Sequence, residues 1–522
     1  MAGRRRGWPA GRVGPWRAGG FAAHRIADCR SAEATAIAAA PPGALMQRAA
    51  AAVAAEAAAL LRERRGGVTG RHVVLLVGGG DNGGDALFAG ARLAGRGARV
   101  TAVLLSTHAH AAGLAALLAA GGRAADARTP AGLATGREAV AAAHLVIDGI
   151  VGLGGGAGLR EPAPALVSGV ADGAVVVAVD LPSGVGPDTG ETPGEHVRAD
   201  VTVTFGTGKP CLLLPPAAAA AGRVRVVDIG VGPHLPPEPA VDRLSPADAG
   251  RLWPVPAPAS DKYRRGVVGV VAGSSGYPGA AVLACAGAVR AGVGMVRYVG
   301  PAAAADAVRA AHPEVVAGQG RVQAWVVGSG VDPETDAETG DGQVAAIEHA
   351  LASGEPCVVD AGGLPAVAAA VANGPLPDAA GRVLLTPHAG ELARLLGSLP
   401  GGSAPPREDV EAAPYAHAAR AAAGTGATVL LKGATTLLVR PDGRARSQAD
   451  APPWLATAGA GDVLAGIAGA LLAGGLDAFD AGALAALVHG RAAAAASRGG
   501  PIAAGDVAAA LPATVADLLA GA

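Results

Sequence analysis

Charge is scarce in this chain and almost exactly balanced between the signs. Lys and Arg number 42 against 43 Asp and Glu, a net charge of −1, so there is no overall basic field to hold nucleic acid or an anionic membrane nonspecifically. Cysteine is rare and scattered: Cys29, Cys211, Cys285 and Cys357 form no CxxC pair, which excludes the usual zinc spacing and a disulfide scaffold and suits a reducing cytoplasm. Long apolar runs are missing where they are looked for first. The run Val463 to Leu476 is too short to span a bilayer, and the uncharged stretch 266–289 is interrupted by Ser-Ser-Gly-Tyr-Pro-Gly, so no membrane anchor is expected. The opening MAGRRRGWPAGRVGPWRAGG has arginines with no apolar segment behind them, unlike a secretory signal. Residues 1–24 are expected to be a disordered leader.

Aromatic residues make up 2% of the chain, and there are three lysines (Lys209, Lys262, Lys432) and two asparagines (Asn82, Asn373). Where arginine is taken wherever the choice is free, a retained lysine marks a place that needs a compact point charge. Gly and Pro are abundant, 81 and 39 residues, but have no G-X-Y period, and 51% of the 522 residues are hydrophobic. A folded protein of several units, at about 150 residues per domain, follows.

Residues 26–64 are rich in Ala, Glu and Leu and predict one or two helices. Short apolar runs then alternate with helical stretches: 71–77, 98–105, 144–150, 174–180, 199–205 and 224–230. A Pro-rich boundary at 233–260 separates these from a second series at 266–273, 294–300, 324–330, 357–363, 382–388, 428–434 and 435–439. Strands alternating with helices predict mostly parallel sheets with ligands at the strand ends. The expected domains are 25–235 and 240–522.

In the first series, GGGDNGGD (78–85) lies between a predicted strand and a helix starting at Ala86. Such a turn presents backbone N–H groups to an anion, although alone it is more often a tight turn with capping residues. Asp148 and Asp180 each follow a buried strand, and Asp180 leads into Leu-Pro-Ser-Gly. Strand-terminal Asp residues are common caps, but three such features on successive strands point to one pocket. Asn82, Asp148 and Ser183 offer oxygen atoms suited to a hard cation and not to zinc.

LMQRAA (45–50), VGGGDNGGDA (77–86), DGIVGLG (148–154), DLPSG (180–184), DTG (188–190), TFGTGKP (204–210) and VDIG (227–230) together resemble the NAD(P)H-hydrate epimerase domain over residues 26–232. The resemblance implies a Rossmann-like, doubly wound sheet and potassium held by Asn82, Asp148 and Ser183. It further implies hydrate contacts from Asp81, Asn82, Gly83, Gly84 and Asp85, from Gly152, Leu153, Gly154, Gly155, Gly156, Ala157 and Gly158, and from Asp180. Asp148 is the expected acid/base. The chain departs from the family's pattern at Asp81, Ala86 and Gly149.

In the second series, WLATAGAGDVLAG (454–466) puts Gly459, Ala460, Gly461 and Asp462 before an apolar helix. Its N-terminus favours an anion, and Asp462 is either a helix cap or a base that takes a proton from an oxygen. Lys432 ends a strand and is followed by Gly433, Ala434, Thr435 and Thr436, a plausible nucleotide-binding edge. His388 is either a turn histidine satisfied by its neighbours or a ligand contact.

DKYRRG (261–266), AGSSGYPGAA (272–281), GSGVD (328–332), DAGGL (360–364), TPHAGE (386–391), LKGATT (431–436) and TAGAGDVLAG (457–466) resemble the ADP-dependent NAD(P)H-hydrate dehydratase, a ribokinase-like α/β fold, over about residues 240–520. The resemblance implies hydrate contacts at Ala280, Gly330, His388 and Asp462, and adenine-nucleotide contacts at Lys432 to Thr436 and Gly461. Asp261, Ser329, Gly362 and Ala460 depart from its motifs, and GAGD is also what sugar and vitamin kinases carry. The expected protein is a cytoplasmic, bifunctional repair enzyme and homo-oligomer. Its substrates would be NADHX and NADPHX, with ADP as co-substrate and K⁺ and Mg²⁺ as cofactors, and it would have no nucleic-acid or membrane partner. The rivals are a small-molecule kinase for the second domain and a non-catalytic, RNA-associated scaffold for the first.

Overall fold

The computed structural model describes residues 20–372 and 374–521 and divides at residues 21/22 and 241/242 into two α/β units. The first nineteen residues of the expected leader lie outside the described residues. Its remaining part is not leader, since Phe21–Ala23 forms a strand.

The N-terminal unit carries a seven-stranded sheet in the order Arg123–Asp126, Arg99–Leu104, His72–Val77, Leu145–Gly149, Val175–Val179, Val201–Phe205, Arg223–Val227. All its pairings are parallel. His72–Val77 is followed in sequence by two strands on one side and then by Leu145–Gly149 on the other. The reversal opens a crevice at the carboxyl ends of these two central strands, where α/β sheets bind ligands. His72–Val77, Leu145–Gly149 and Val175–Val179 are buried at every residue, which is why they read as unbroken apolar runs. Helix Ala44–Arg65 is long and apolar enough to cross a membrane by length and composition. In this unit it packs into the core facing that sheet, and its buried Glu56 pairs with Arg223 and with Arg225 at 2.5 Å.

The sheet of the C-terminal unit runs in the order Ala445–Gln448, Thr436–Val439, Thr428–Leu431, Val383–Leu385, Cys357–Val359, Ala324–Val327, Val267–Val271, Met295–Tyr298 and Val316–Ala317. From Thr428–Leu431 to Val316–Ala317 the pairing is parallel; Thr436–Val439 and Ala445–Gln448 add antiparallel strands. The strand order reverses between Val267–Val271 and Ala324–Val327. The shortage of aromatics is met by close helix packing. Helix Ala460–Ala473 lies against Pro278–Arg290 so tightly that a Cβ on Gly466 would fall 2.1 Å from the Ala284 carbonyl oxygen, and one on Gly287 2.3 Å from that of Val463. Small residues let the backbones approach, and interior density is reached without rings.

Two motif segments expected as turns are helical. The helix after the glycine-rich segment begins at Asp81 and runs to Ala94, so Asp81 to Asp85 form its opening residues. Likewise the helix placed after Asp462 begins at Ala460, with Gly459 in the left-handed region (φ 83°) as its N-cap. In both cases the anion-favouring helix start lies within the motif.

Candidate functional sites

In the N-terminal unit, the reversal point brings Asn82, Asp148 and Ser183 together. Asp148 is wholly buried. Its Oδ1 accepts from Ser183 Oγ at 2.7 Å and Ile150 N at 3.2 Å, and its Oδ2 from Ser183 N at 2.8 Å. Burial pushes its pKa up to about 6 against these three hydrogen bonds. Asn82 donates from Nδ2 to the Val179 carbonyl at 2.6 Å, which turns its Oδ1 onto the backbone of Gly152; a Cβ there would lie 2.2 Å from that oxygen. A side chain at Gly152 would therefore have to displace the Asn82 amide.

Asp148 was expected to exchange protons with the substrate. Both of its oxygens accept hydrogen bonds and none of its surface is exposed. It has no ion-pair partner among the described residues, and the neighbouring Asn82 and Ser183 contribute only oxygens to a site. A buried single negative charge of this kind, without the multiple carboxylates of a divalent cage, fits a monovalent hard cation such as potassium. No group of three His, Cys, Asp or Glu side chains able to hold a metal occurs among the described residues.

Asp180 occupies the left-handed region (φ 67°) at the end of Val175–Val179 and is 3% exposed. It forms an ion pair with the fully buried Lys209 and accepts from Thr204 Oγ1 at 3.0 Å. Although burial opposes it, Asp180 holds the Lys209 ammonium above its ordinary pKa. Lys209 was conspicuous in the sequence for its rarity but had been given no role. Of the remaining expected contacts, Gly83, Gly84 and Asp85 are buried, Asp81 is exposed, and residues 153–158 form a largely exposed loop above buried Gly152.

The C-terminal site centres on Asp360, which was quoted in a motif but not assigned. Its carboxylate accepts from Ser329 Oγ at 3.0 Å, Thr386 Oγ1 at 2.8 Å and Lys432 Nζ at 2.8 Å. Lys432 also lies 3.6 Å from Glu391, and Gly461 faces it: a Cβ there would be 3.5 Å from Nζ. Asp360 and Glu391 hold the Lys432 ammonium above its ordinary pKa despite burial. Asp462 belongs to the same cluster. Burial first, then the charge of Asp360, raises its pKa to about 7, while Lys432 and a hydrogen bond with Ser329 pull it down. A carboxyl poised there can take a proton at neutral pH.

His388 caps helix Ala389–Ser398, its Nδ1 accepting from Gly390 N at 3.1 Å and Glu391 N at 3.2 Å. Burial lowers its pKa despite Glu391, so it is a neutral ring whose half-exposed Nε2 edge, 3.3 Å from Glu391, borders the cluster. Ala280 and Gly330 also meet, since a Cβ on Gly330 would sit 2.4 Å from that of Ala280. Gly433 and Ala434 are exposed, while Thr435 and Thr436 are half-buried.

A family model described as NAD(P)H-hydrate dehydratase matches residues 268–511, and one described as YjeF-related protein N-terminus matches residues 42–211. A bifunctional NAD(P)H-hydrate repair enzyme of Mycobacterium leprae is 44% identical over 423 residues, covering 79% of this chain and 81% of its own. The chain belongs to the bifunctional NAD(P)H-hydrate repair enzyme family. A relative of the same name from Mycobacterium tuberculosis is 44% identical over 401 residues, 74% of this chain and 76% of its own. A crystal structure titled ADP/ATP-dependent NAD(P)H-hydrate dehydratase from Bacillus subtilis covers 53% of this chain and 98% of its own, at 24% identity and a TM-score of 0.46. The two family models place the repair enzyme's two halves on the two units, and each unit contains its own cluster.

Proposed function

We propose that the N-terminal unit interconverts the R and S hydrates of NADH and NADPH, and that the C-terminal unit dehydrates the S form at the expense of ADP, releasing AMP and phosphate. What carries this reading is that one family likeness runs through both units, and each has a polar cluster at the carboxyl ends of its parallel strands.

In the epimerase, Asn82, Asp148 and Ser183 would hold potassium, whose charge would offset that of buried Asp148. The helix start at 81–85 and the loop 152–158 would bind the diphosphate and nicotinamide parts of the hydrate, with Asp180 kept in place by Lys209. In the dehydratase, Ala280, Gly330 and His388 would border the hydrate, while Gly461 and residues 432–436 would line the nucleotide. Mg²⁺ would enter with the phosphates and neutralise them, as it does in phosphoryl-transfer sites. Asp462 would take the proton of the hydrate's hydroxyl as that oxygen attacks the terminal phosphorus of ADP and AMP departs. Phosphate then leaves the carbon with the C–O bonding pair, the adjacent ring carbon gives its proton to water or to the departing phosphate, and the C–H pair forms the double bond that restores the dihydronicotinamide ring. Four buried thiols with no disulfide among them suit a cytoplasmic setting; a homo-oligomer remains part of the proposal.

The test is an assay of the purified chain with each hydrate epimer, with and without ADP. The two epimers should interconvert without nucleotide, and ADP should bring back the NADH absorbance from both, one phosphate per turnover. A stable phosphorylated product would instead make the C-terminal unit a kinase.

A further inference from the structure

Three large aromatic side chains stand exposed among the described residues, in a chain of which aromatics make up 2%. Two are explained by their surroundings. Tyr263, 54% exposed, has the Lys262 Nζ 5.3 Å from its ring centre, and it lies in the turn that precedes strand Val267–Val271, at the strand end away from the polar cluster. Trp454, 49% exposed, is tied down by its indole, which donates from Nε1 to the Gly499 carbonyl at 3.1 Å. Tyr277 is the most exposed of the three, at 67%, and its side chain has no hydrogen bond or ring contact with the described residues.

The backbone that carries Tyr277 is fastened to the C-terminal site. Gly273 N donates to the Ser329 carbonyl at 2.7 Å, and Ser329 Oγ in turn donates to Asp360. Other side chains hold the same loop. Gln343 Nε2 donates to the Gly273 carbonyl at 2.8 Å, Tyr298 Oη to the Ala272 carbonyl at 2.9 Å, and Ser275 N and Oγ to the two oxygens of Asp341 at 2.9 and 2.8 Å. Tyr277 N closes the turn onto Ser274, 3.1 Å from both its carbonyl oxygen and its Oγ. Tyr277 is then the N-cap of helix Pro278–Arg290, one turn before Ala280, the residue against which Gly330 packs. The loop is held all along its main chain and bare in its one large side chain.

We propose that Tyr277 binds the hydrated nicotinamide ring by its aromatic face and so sets the hydroxyl-bearing carbon beside Asp462. This rests on the dehydratase reading of the C-terminal unit. A pocket for an organic ring needs an apolar wall as well as polar groups that orient it. The cluster around Asp360 and Lys432 supplies charges and hydroxyls, while Ala280, Gly330 and Gly461 offer almost no side-chain surface. Tyr277 supplies that surface with little loss of entropy, because its backbone is already held and only two side-chain torsions are left to order. In the hydrate the ring nitrogen, the remaining C=C bond and the carboxamide form a flat conjugated face on which an aromatic ring can stack. The nicotinamide end is favoured over the adenine end for a geometric reason. The hydroxyl to be phosphorylated is on that ring, and the Tyr277 loop joins the cluster through Ser329.

The test is ADP-dependent dehydration of the S hydrate by the full chain, followed by absorbance of the dihydronicotinamide product over a range of hydrate and of ADP. Tyr277→Ala should raise the KM for hydrate by about tenfold, the scale of losing one stacked ring, with kcat and the KM for ADP little changed. Tyr277→Phe should behave as the wild type does, since the aromatic face is kept. With hydrated nicotinamide mononucleotide, which lacks the adenylate half, Tyr277→Ala should lose the same factor. An unchanged KM for hydrate in Tyr277→Ala overturns the assignment. So does an equal loss in Tyr277→Phe, which would point to the hydroxyl, and so does a loss that disappears with the mononucleotide, which would put the ring on adenine. Should Tyr277→Ala be unstable, Tyr277→Leu, similar in reach but without a flat face, decides in its place. A wild-type chain that returns no NADH absorbance with ADP refutes the dehydratase reading itself, whereas a wild-type rate matched by Tyr277→Ala at limiting hydrate refutes only the stacking.

Discussion

Each unit has a buried aspartate at the end of a central strand, and the two are used differently. Asp360 in the C-terminal unit has an ammonium beside it: Lys432 at 2.8 Å. Asp148 in the N-terminal unit has only neutral donors, and burial raises its pKa to about 6. The first aspartate therefore has its counter-charge built into the chain, whereas the second has none among the described residues and, on the proposed reading, would take one from a bound ion. Buried charge that is left unpaired is costly, so the N-terminal site should depend on its ionic surroundings in a way the C-terminal site does not. A second contrast follows. In the C-terminal unit the poised carboxyl, Asp462, belongs to the motif at the helix start; in the N-terminal unit the strand-end aspartate accepts three hydrogen bonds from its own strand end and from Ser183.

The sharpest way to break this contrast is Asp462→Asn. If Asp462 is the base, ADP-dependent return of NADH absorbance should fall by about 10²–10⁴, while epimerisation, assayed by resolving the two hydrates, should hardly move. Loss of both activities would mean that the units do not work independently. Lys432→Met comes next. It removes the nucleotide's proposed cation and leaves Asp360 and Glu391 as uncompensated like charges. The KM for ADP should rise by about tenfold or more, the scale on which losing one charge-assisted contact tells, and an unchanged KM would take Lys432 out of the nucleotide site.

Potassium tests the other half of the comparison. Replacing it with a bulky organic cation at constant ionic strength should slow epimerisation and lower the thermal midpoint, leaving ADP-dependent dehydration of the S hydrate intact. Asp148→Asn, which keeps an acceptor for Ser183 but has no charge to balance, should make the midpoint insensitive to potassium. A midpoint that still responds as in the wild type would place the ion elsewhere.

Much of the fold could be read from the sequence because buried parallel strands are continuous apolar runs. Elements that lacked such runs were missed. Arg123–Asp126 is a half-exposed edge strand of sequence RAAD. Ala445–Gln448 reads as polar yet is buried at every residue, because Arg446 pairs with Asp242 at 3.0 Å and with Asp480 at 2.5 Å while stacking 4.5 Å from the Phe479 ring centre. In the sites, Asp148, Asn82, Ser183, Lys432 and Asp462 were legible from motif and position. Asp360 and Glu391 lay inside quoted motifs, but their tie to Lys432 depends on the parallel bridge between residues 388 and 432, a contact between distant parts of the chain.

The finest distinction concerns Asp462 itself. As the base it must be ionised, so kcat for dehydration should fall as pH drops below about 7. Asp360→Asn removes the like charge that helps raise the Asp462 pKa and frees Lys432 to favour its ionised form, so the fall should move to lower pH. Ser329→Ala removes a hydrogen bond that favours the ionised form, so the fall should move to higher pH. Each shift should be on the order of a unit or less, the usual size of a single charge or hydrogen bond near a partly solvated carboxyl. Opposite displacements in the two kcat profiles would assign the limb to Asp462 among these neighbours; displacements of the same sign would show that another group carries it.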